Sequence, residues 1–384
     1  MNVILEKAKG DRAIWIVVVL LSMFSLLAVY SSTGTLAYRF RSGDTEYYAI
    51  KHFLIQLMGL VLMFLASKVK YTYYSRISQI AIWVAVPLMI FTILKGTTIN
   101  EAARWITLPI INVSFQSSDF AKLALIIYVA RLLAKKQDVI KDIKGGFFQT
   151  LIPILIITGL ILPENLSTAA LLFMTCLVIM FIGGVSFRHI LMVSGIGLVV
   201  MAFLIFIFIT FKPDQGRVSV WVNRVEAHFV GDQLPFQVEQ SKIAIASGGI
   251  FGKMPGNSTQ RNFLPHAYSD FIYSIIIEEY GLIGGLFIIV FYLILFYRGI
   301  KIARKSPGTF GALVAAGLSF SLVFQAFINM AVAVNIVPVT GQPLPLISMG
   351  GTSIWFSSIA IGIVLSVSRK VEENEQNNAS NVKA

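Results

Sequence analysis

Long uncharged apolar runs alternate with short polar segments along most of the chain, as far as residue 368. Several runs exceed the ~18 uncharged residues that distinguish a membrane-spanning helix from a core helix of a soluble protein. Taken between their charged flanks, the runs predict ten spans, at residues 13–30, 53–67, 78–94, 120–134, 147–162, 168–184, 190–211, 271–297, 310–336 and 350–368. The predicted fold class is therefore an all-α polytopic membrane protein with about ten transmembrane helices.

The charges on the loops predict how these spans are oriented. If the spans alternate in direction, every short loop on one side of the membrane is basic, with Lys7/Lys9/Arg12, Lys68/Lys70/Arg76, Lys135/Lys136/Lys141/Lys144, Arg188, Arg298/Lys301/Arg304/Lys305 and Arg369/Lys370. The positive-inside rule makes this side cytoplasmic. Because the number of spans is even, both termini are expected in the cytoplasm. The net charge of +12 then reflects membrane topology rather than nucleic-acid binding.

The segments on the opposite, extracytoplasmic side are different in kind. The loop between the seventh and eighth spans, residues 212–270, is far longer than the ~12–15 residues beyond which loops are usually functional. We interpret it as a folded cap on a single transmembrane domain, residues 1–370, which ends in a polar cytoplasmic tail, residues 371–384. Only this tail has a composition that permits disorder. Any chemistry is therefore expected to face outward.

Composition excludes several other classes of protein. Hydrophobic residues make up 56% of the chain and charged residues 13%, about half the charged share of an ordinary soluble protein. Cys176 is the only cysteine, which excludes a disulfide-stabilised secreted scaffold. The chain contains no GxxxxGK[ST] or HExxH motif and its four histidines are scattered, so neither a P-loop nor a dedicated zinc site is predicted.

The first candidate site lies in the outer segment 95–119 and at the start of the fourth span. Arg104 and Trp105 adjoin an apolar stretch that is too short to cross the membrane, which indicates a re-entrant or interfacial segment. Asp119 and Lys122 lie three residues apart, on one face of the helix that follows. They suit either an internal ion pair or a functional pair, since ionisable groups at membrane depth are costly and often functional.

The second candidate site is the glycine-rich part of the long outer loop. Four glycines between residues 248 and 256 allow the backbone a tight path and a close approach to a ligand. Lys253 and Arg261 are cations beside this path, and they are suited to binding phosphate oxygens. The segment therefore has the character of an anion-binding loop.

Three acidic residues lie where the eighth span begins. Asp270 directly precedes the apolar helix, and as an isolated residue it is better explained as an N-cap than as a general base. Glu278 and Glu279 lie about 80° and 180° from Asp270 around an ideal helix. They cannot both face the side of Asp270, so one of them is expected to find an internal basic partner.

The third candidate segment, residues 336–353, joins the last two spans. It has the sequence IVPVTGQPLPLISMGGTS, with three prolines and three glycines. Such a sequence interrupts a helix, and irregular backbone at membrane depth is tolerated only where it is buried or lines a cavity. The segment is therefore expected to be buried or to line the site.

Together these segments resemble the SEDS family of shape, elongation, division and sporulation proteins, over residues 10–370. The resemblance rests on Ala103–Arg104–Trp105–Ile106, Phe115–Lys122, Gly248–Gly252, Asn257–Gln260, Leu264–Pro265, Asp270–Ile272, Glu278–Gly281 and Pro338–Ser353. Residues 116–119 depart from it, since they are QSSD where the family has QPSE, and residues 163–169 are PENLSTA where it has PDxGTA. The GNSTQ, LP, DFI and EEYG strings are more similar to the FtsW division branch than to the RodA elongation branch.

The resemblance implies a peptidoglycan glycosyltransferase that polymerises lipid II into glycan strands and releases undecaprenyl diphosphate. It places the catalytic aspartate at Asp270, which would accept the proton of a sugar 4-hydroxyl while the anomeric carbon is inverted. The residues expected to bind substrate are Arg104, Trp105, Lys122, Lys253, Arg261 and Ser348, and those expected to support the site are Asp119, Glu164, Glu278 and Glu279. The sequence identifies no definite cofactor, although a divalent cation, Mg²⁺ or Mn²⁺, would also stabilise the leaving diphosphate.

Three alternatives stay open at this point. The chain would be a RodA-type elongation polymerase, a flippase that moves lipid II across the membrane, or a non-catalytic scaffold. The outward placement of Asp270 favours polymerisation over flipping. The resemblance also implies a location in the bacterial cytoplasmic (inner) membrane at the division septum. The partners that it implies are a class B penicillin-binding protein and other division proteins.

Overall fold

The computed structural model describes residues 10–99, 102–108, 113–211, 224, 228 and 234–383. In these ranges the helices are α1 (Arg12–Ser32), α2 (Gly34–Arg41), α3 (Thr45–Lys68), α4 (Tyr71–Lys95), α5 (Ser117–Lys135), α6 (Phe148–Ile161), α7 (Leu166–Ile182), α8 (Phe187–Phe211), α9 (Phe236–Gly248), α10 (Ile272–Lys305), α11 (Thr309–Ala333) and α12 (Gly351–Lys383). The strands are β1 (Thr97–Ile99), β2 (Ala102–Leu108) and β3 (Val113–Gln116). All ten predicted spans coincide with a helix, which confirms the helical polytopic fold.

Six of the described helices are long and apolar enough to cross a membrane, namely α1, α3, α4, α10, α11 and α12. Three shorter apolar helices correspond to α6, α7 and α8. The remaining predicted span is α5, whose sequence includes Asp119, Lys122 and Arg131. The protein is therefore a multi-pass membrane protein.

Several helices extend beyond the apolar run that predicted them. α3 begins at Thr45 rather than near residue 53, because Asp44 caps it by accepting a hydrogen bond from the Tyr47 N–H at 3.0 Å. α12 continues through the polar tail to Lys383, where the composition permitted disorder. Hydropathy thus marks the part of a helix that crosses the bilayer, whereas capping residues decide where the helix begins.

The chain divides into two compact units. One contains residues 1–69, 233–305 and 322–384, and the other contains residues 70–232 and 306–321. We call them the first and the second unit and describe each by itself.

In the second unit, a small sheet forms where the sequence indicated a re-entrant or interfacial segment. Its strands are antiparallel in the order β1-β2-β3, and Trp105 of β2 is paired with Thr97 on one side and Gln116 on the other. Pairing of this kind satisfies backbone N–H and C=O groups without a helix. Beyond the sheet, α5 packs against α4, where Arg131 Nη1 donates to the Ser75 carbonyl at 2.6 Å.

In the first unit, α3 and α12 pack very closely because small residues lie at their contact. A Cβ added at Gly59 would lie 2.8 Å from Ser358 Oγ, and one added at Gly362 would lie 2.5 Å from the Met63 carbonyl oxygen. Close backbone approach through small residues is typical of helix pairs in membranes. α1 packs against α10, so that α1, α3, α10 and α12 form the framework of this unit.

Candidate active site

The glycine-rich loop after α9 is docked against a kink in α10. Gly281 has a φ of 70°, a conformation that interrupts the helix and that glycine adopts readily. The Leu282 N–H donates to the Gly249 carbonyl at 2.9 Å. A Cβ added at Gly252 would lie 2.2 Å from the Glu279 carbonyl oxygen. The glycines therefore permit the close approach that the sequence predicted, but the partner is α10 rather than a ligand.

The carboxylate of Glu278 binds this loop to the helix. Glu278 is fully buried, and its Oε1 lies 2.7 Å from Lys253 Nζ. It also accepts hydrogen bonds from the Ser258 hydroxyl, from the Thr259 N–H at 3.1 Å and from the Gln260 N–H at 3.2 Å. This ion pair confirms that one of the two glutamates has an internal basic partner. Buried charges are tolerated when they are paired and hydrogen-bonded in this way.

The neighbouring glutamate binds the loop to α1. Ser31 Oγ donates to Glu279 and accepts from Arg261 Nη1 at 3.0 Å. Arg261 Nη1 also donates to the Ser31 carbonyl at 3.1 Å. The loop segment that carries Arg261 is thus held between α1 and α10, and both predicted anion-binding cations make contacts within the protein.

Asp270 lies just before α10 and directly precedes Phe271, which belongs to a buried apolar cluster. The cluster consists of Leu264, Ala267, Phe271, Ile275 and Val332. The Asp270 side chain is half-buried, and its Oδ1 accepts a hydrogen bond from Ser269 Oγ at 3.0 Å. α10 begins at Ile272, and no described amide of its first turn donates to the Asp270 carboxylate. The carboxylate is therefore more exposed and has fewer donors than that of Glu278.

The backbone that carries Asp270 is fixed by three hydrogen bonds from elsewhere in the unit. The Met349 N–H donates to the Tyr268 carbonyl at 2.9 Å, and Ser348 Oγ donates to the Ser269 carbonyl at 2.6 Å. Asn329 Nδ2 donates to the Asp270 carbonyl at 2.8 Å. Each of the three successive carbonyls therefore has its own donor, while the carboxylate remains accessible.

The broken segment between α11 and α12 supplies two of these donors. Ser348 is buried, and its Oγ accepts from the Leu344 N–H at 2.7 Å as well as donating to the Asp270 backbone segment. Asn329 also donates to the Gln342 carbonyl at 2.7 Å. Most residues between 342 and 348 are buried beside the site, as the sequence predicted, whereas the start of the segment at Ile336 is exposed. In this structure Ser348 positions the backbone just before Asp270. Its contact with substrate remains a prediction.

Tyr268 adds a neutral hydroxyl near Asp270. Burial raises the pKa of the Tyr268 phenol, and the negative charge of Asp270 and the nearby Tyr48 raise it further. A phenol whose pKa lies above its usual value of about 10 stays protonated at neutral pH. Tyr268 therefore offers a hydrogen-bond donor rather than a second negative charge.

The second unit contains the other predicted residues. Asp119 and Lys122 form an ion pair with 3.2 Å between Oδ1 and Nζ, and the Asp119 side chain is buried. Glu164 is also buried, at the turn before α7. Arg104 and Trp105 lie on β2, but their side chains are outside the described part of the structure. The pairing of Asp119 with Lys122 agrees with the interpretation as an internal ion pair. The roles of these residues toward substrate remain predictions.

Sequence reasoning missed several residues that support the site. Asn329, Ser269 and Ser31 were not singled out, although each makes a side-chain contact in the site. A signal did exist for Asn329, because a polar amide within an apolar span is costly and is usually hydrogen-bonded. The two serines carry no comparable signal, since serine is common in membrane helices and loops.

The described part of the structure contains no preformed cluster of protein ligands for the predicted divalent cation. Among the described residues, no three histidine, cysteine, aspartate or glutamate side chains come together as possible ligands. Mg²⁺ commonly binds through one or two carboxylates together with substrate phosphates. A site for Mg²⁺ or Mn²⁺ would therefore include phosphate oxygens of the bound substrate.

Comparison with known proteins identifies the family. The pattern that defines the cell cycle proteins FtsW, RodA and SpoVE matches residues 11–373. "Probable peptidoglycan glycosyltransferase FtsW" of Trichlorobacter lovleyi is 32% identical over 365 residues, which cover 94% of this chain and 93% of that protein. "Stage V sporulation protein E" of Bacillus subtilis is 31% identical over 369 residues, which cover 95% and 98%.

Solved structures share the fold. "Structural coordination of polymerization and crosslinking by a peptidoglycan synthase complex" describes a chain that matches with a TM-score of 0.75 and 22% identity, covering 94% of this chain and 98% of that one. The rod shape determining protein RodA of Thermus thermophilus matches with a TM-score of 0.67 and 23% identity, covering 94% and 97%. By the pattern, by relatives along nearly its whole length and by its fold, this chain belongs to the FtsW, RodA and SpoVE family of cell cycle proteins.

Proposed function

We propose that this chain is a peptidoglycan glycosyltransferase that polymerises lipid II into glycan strands during septal cell-wall synthesis and releases undecaprenyl diphosphate. Family membership supports the proposal, as do relatives named for this activity along more than nine-tenths of the chain. The observation that carries it is the state of Asp270. Its backbone and the two preceding carbonyls are each hydrogen-bonded, while its carboxylate is half-buried with one serine donor.

We place Asp270 on the extracytoplasmic face of the bacterial cytoplasmic (inner) membrane. α10 has 34 residues, so it is about 50 Å long and exceeds the ~30 Å hydrocarbon core. Asp270 precedes one end of α10, and Arg304 and Lys305 lie at the other. The positive-inside rule favours the cytoplasm for the basic end. Both termini are then cytoplasmic, and the catalytic carboxylate faces the compartment in which glycan strands accumulate.

In the proposed reaction, Asp270 acts as the general base. It accepts the proton of the acceptor's 4-hydroxyl, and the oxygen attacks the anomeric carbon of the donor from the side opposite the diphosphate. A C–O bond forms as the C–O bond to diphosphate breaks, so the anomeric configuration is inverted and undecaprenyl diphosphate leaves with the electron pair. A half-buried carboxylate with few donors suits this role, because its unpaired lone pairs can receive the proton.

We propose that the loop cations contribute to stabilising the leaving diphosphate. Lys253 Nζ already contacts Glu278 and, at 3.0 Å, Thr259 Oγ1, but 31% of its side chain is exposed. Arg261 is likewise bonded to Ser31. Because Lys253 is paired with Glu278, its contribution is expected from the exposed part of its side chain, which can donate to diphosphate oxygens, rather than from a net positive charge. Arg104, Trp105 and Lys122 remain proposed substrate contacts on the evidence of the sequence.

We propose a class B penicillin-binding protein as the partner, with other division proteins at the septum. The support is the fold match to a chain from a complex described as coordinating polymerisation and crosslinking. A polymerase whose product must be crosslinked gains from a transpeptidase held beside it. The protein should therefore be assayed together with this partner.

The decisive experiment is polymerisation of purified lipid II by the reconstituted protein with its partner. Asp270→Asn keeps the size of the side chain and removes the base. It should lower the rate by about 10²-fold or more without changing the thermal unfolding temperature. Glu375→Gln, in an exposed ion pair at the far end of the first unit, is the matched control and should leave the rate unchanged. Parallel reactions with Mg²⁺, Mn²⁺ or EDTA test the cation.

Each outcome distinguishes among the functions considered. Polymer from wild type and from Asp270→Asn alike would move catalysis to another acid, Asp119 or Glu164 first. No polymer from wild type with the partner bound would overturn the proposal. Transfer of labelled lipid II across the vesicle membrane in that case would indicate a flippase, and its absence would indicate a scaffold.

A further inference from the structure

A small group of polar side chains lies buried between α1 and α3, in spans that are otherwise apolar. It consists of Ser25, His52 and Gln56, which we call the His52 cluster. Their exposed fractions are 0%, 0% and 3%. Polar groups inside a membrane bundle are costly unless hydrogen-bonded, and they are often functional. The reaction proposed above uses none of the three.

The direction of each hydrogen bond in the cluster follows from the number of protons available. Ser25 Oγ donates its single proton to the Ile347 carbonyl at 2.7 Å. It can then only accept from Gln56 Nε2 at 2.9 Å and from His52 Nε2 at 2.7 Å. His52 therefore carries a proton on Nε2. Gln56 uses its second N–H to donate to the Leu346 carbonyl at 2.7 Å.

The carbonyls that the cluster reaches belong to the broken segment between α11 and α12. Three successive carbonyls each accept from a different helix: Pro345 from Tyr292 Oη, Leu346 from Gln56 and Ile347 from Ser25. Leu346 has a φ of 66°, a left-handed conformation that is strained in a residue with a side chain. Such a conformation persists only where surrounding contacts impose it. The His52 cluster supplies two of these contacts.

The next two residues of the same segment, Ser348 and Met349, hold the backbone that precedes Asp270. Ser348 Oγ donates to the Ser269 carbonyl, and the Met349 N–H donates to the Tyr268 carbonyl. These carbonyls lie immediately before Asp270. A continuous series of hydrogen bonds and two short stretches of backbone therefore joins the His52 ring to the residues that carry the carboxylate.

We propose that His52 is a positioning residue for polymerisation. Its Nε2–H orients Ser25, Ser25 fixes the Ile347 carbonyl, and the segment that follows places Asp270 for proton transfer. His52 does not touch substrate. The inference rests on the proposed function, because it assigns His52 a part in the same site. Small displacements of a reacting group lower the rate of the chemical step strongly, so the effect should fall on kcat rather than on KM.

The test is a pair of substitutions that differ in one donor. His52→Leu removes the donor and keeps an uncharged side chain, whereas His52→Gln can present an amide N–H close to the position of Nε2. His52→Leu should lower kcat for lipid II polymerisation about tenfold or more, with KM within about twofold. His52→Gln should recover most of the activity, and Glu375→Gln serves as the unaffected control. Equal loss in both variants, or a loss that follows the unfolding temperature, would overturn the proposal.

A second readout does not depend on activity. Hydrogen–deuterium exchange of the amides between residues 344 and 349 should be faster in His52→Leu than in wild type, and close to wild type in His52→Gln. Unchanged exchange in His52→Leu would show that His52 does not help to hold the segment. If wild type makes polymer and His52→Leu is equally active, the positioning role fails while the proposed function stands. If wild type makes no polymer, the function fails and exchange alone decides whether His52 holds the segment.

Discussion

Two carboxylates on one stretch of chain, Asp270 and Glu278, are placed in opposite surroundings. Glu278 is fully buried and accepts from Lys253, from two hydroxyl-bearing residues of the loop and from a backbone N–H beyond them. Asp270 is half-buried, and within the described part of the chain its carboxylate has one donor, Ser269. Asn329 and the segment before α12 instead donate hydrogen bonds to the backbone at and before Asp270.

This difference distinguishes an acid that stabilises the fold from an acid that can do chemistry. A carboxylate whose lone pairs are all engaged cannot take a proton without losing hydrogen bonds, and each lost bond to a charged group costs about 1.5–3 kcal/mol. A carboxylate held by its backbone can be positioned and still receive a proton. The number of hydrogen-bond donors on each carboxylate therefore distinguishes the role of Glu278 from that of Asp270, although both acids lie on the same stretch of chain.

The largest expected effect comes from Glu278→Gln. Breaking a buried ion pair costs about 3–5 kcal/mol, and the exposed third of Lys253 places this variant toward the lower end. The unfolding temperature in detergent should fall, and polymerisation should fall only as the folded fraction falls. Asp270→Asn should show the reverse, with activity lost and stability kept. A stable but inactive Glu278→Gln would contradict the assignment of Glu278 to the fold.

The second-largest effect is expected where the glycine-rich loop packs against α10. Gly252 and Gly256 both have a φ of 81°, but only at Gly252 would a Cβ meet backbone, 2.2 Å from the Glu279 carbonyl oxygen. Both Gly→Ala variants incur the cost of the left-handed conformation, about 1–2 kcal/mol. Gly252→Ala should lose about 1–3 kcal/mol more, because the loop must move off α10. Equal unfolding temperatures for the two variants would show that the close contact does not contribute.

A smaller effect is expected when one hydroxyl donor is removed from each carboxylate. Ser269 supplies the one side-chain donor to Asp270, whereas Ser247 is one of several donors to Glu278, at 3.3 Å. Ser269→Ala should lower kcat by up to about tenfold, which corresponds to a hydrogen bond of about 0.5–1.5 kcal/mol. Ser247→Ala should leave kcat unchanged. Single-turnover polymerisation measures both, and a larger effect from Ser247→Ala would reverse the comparison.

The smallest effect is expected at an exposed acid far from both carboxylates. Glu375 pairs with Lys305 at 2.7 Å, but the two side chains are 56% and 48% exposed. Exposed ion pairs of this kind contribute about 0–1 kcal/mol. Glu375→Gln should therefore match wild type in unfolding temperature and in rate. A clear loss would mean that the tail of α12 has a role that the two carboxylates do not explain.

Much of the fold was predictable because membrane insertion depends on local hydropathy. Each of the ten predicted spans corresponds to a helix. The strands β1, β2 and β3 were not predicted, because short apolar stretches with β-branched residues suit more than one structure. The prediction also missed α9, since a helix that does not cross the membrane lacks a long apolar run.

The candidate site was predictable only in part. The motif at Asp270 was evident in the chain, but its partners lie far away in sequence, with Asn329 59 residues beyond it. Arg261 and Ser31 are separated by 230 residues. The anion-binding role predicted for Lys253 could not take Glu278 into account, because the ion pair forms only when Gly252 and Gly281 bring the loop onto α10.

The sequence by itself determined that the chain resides in a membrane, where its apolar helices lie and to which family it belongs. These properties depend on hydropathy summed over neighbouring residues and on short motifs, both of which are local. Only the tertiary structure decided which acid is bound by the fold and which is left accessible. That choice depends on hydrogen bonds, which act over about 3 Å and in fixed directions between residues that the chain order keeps apart.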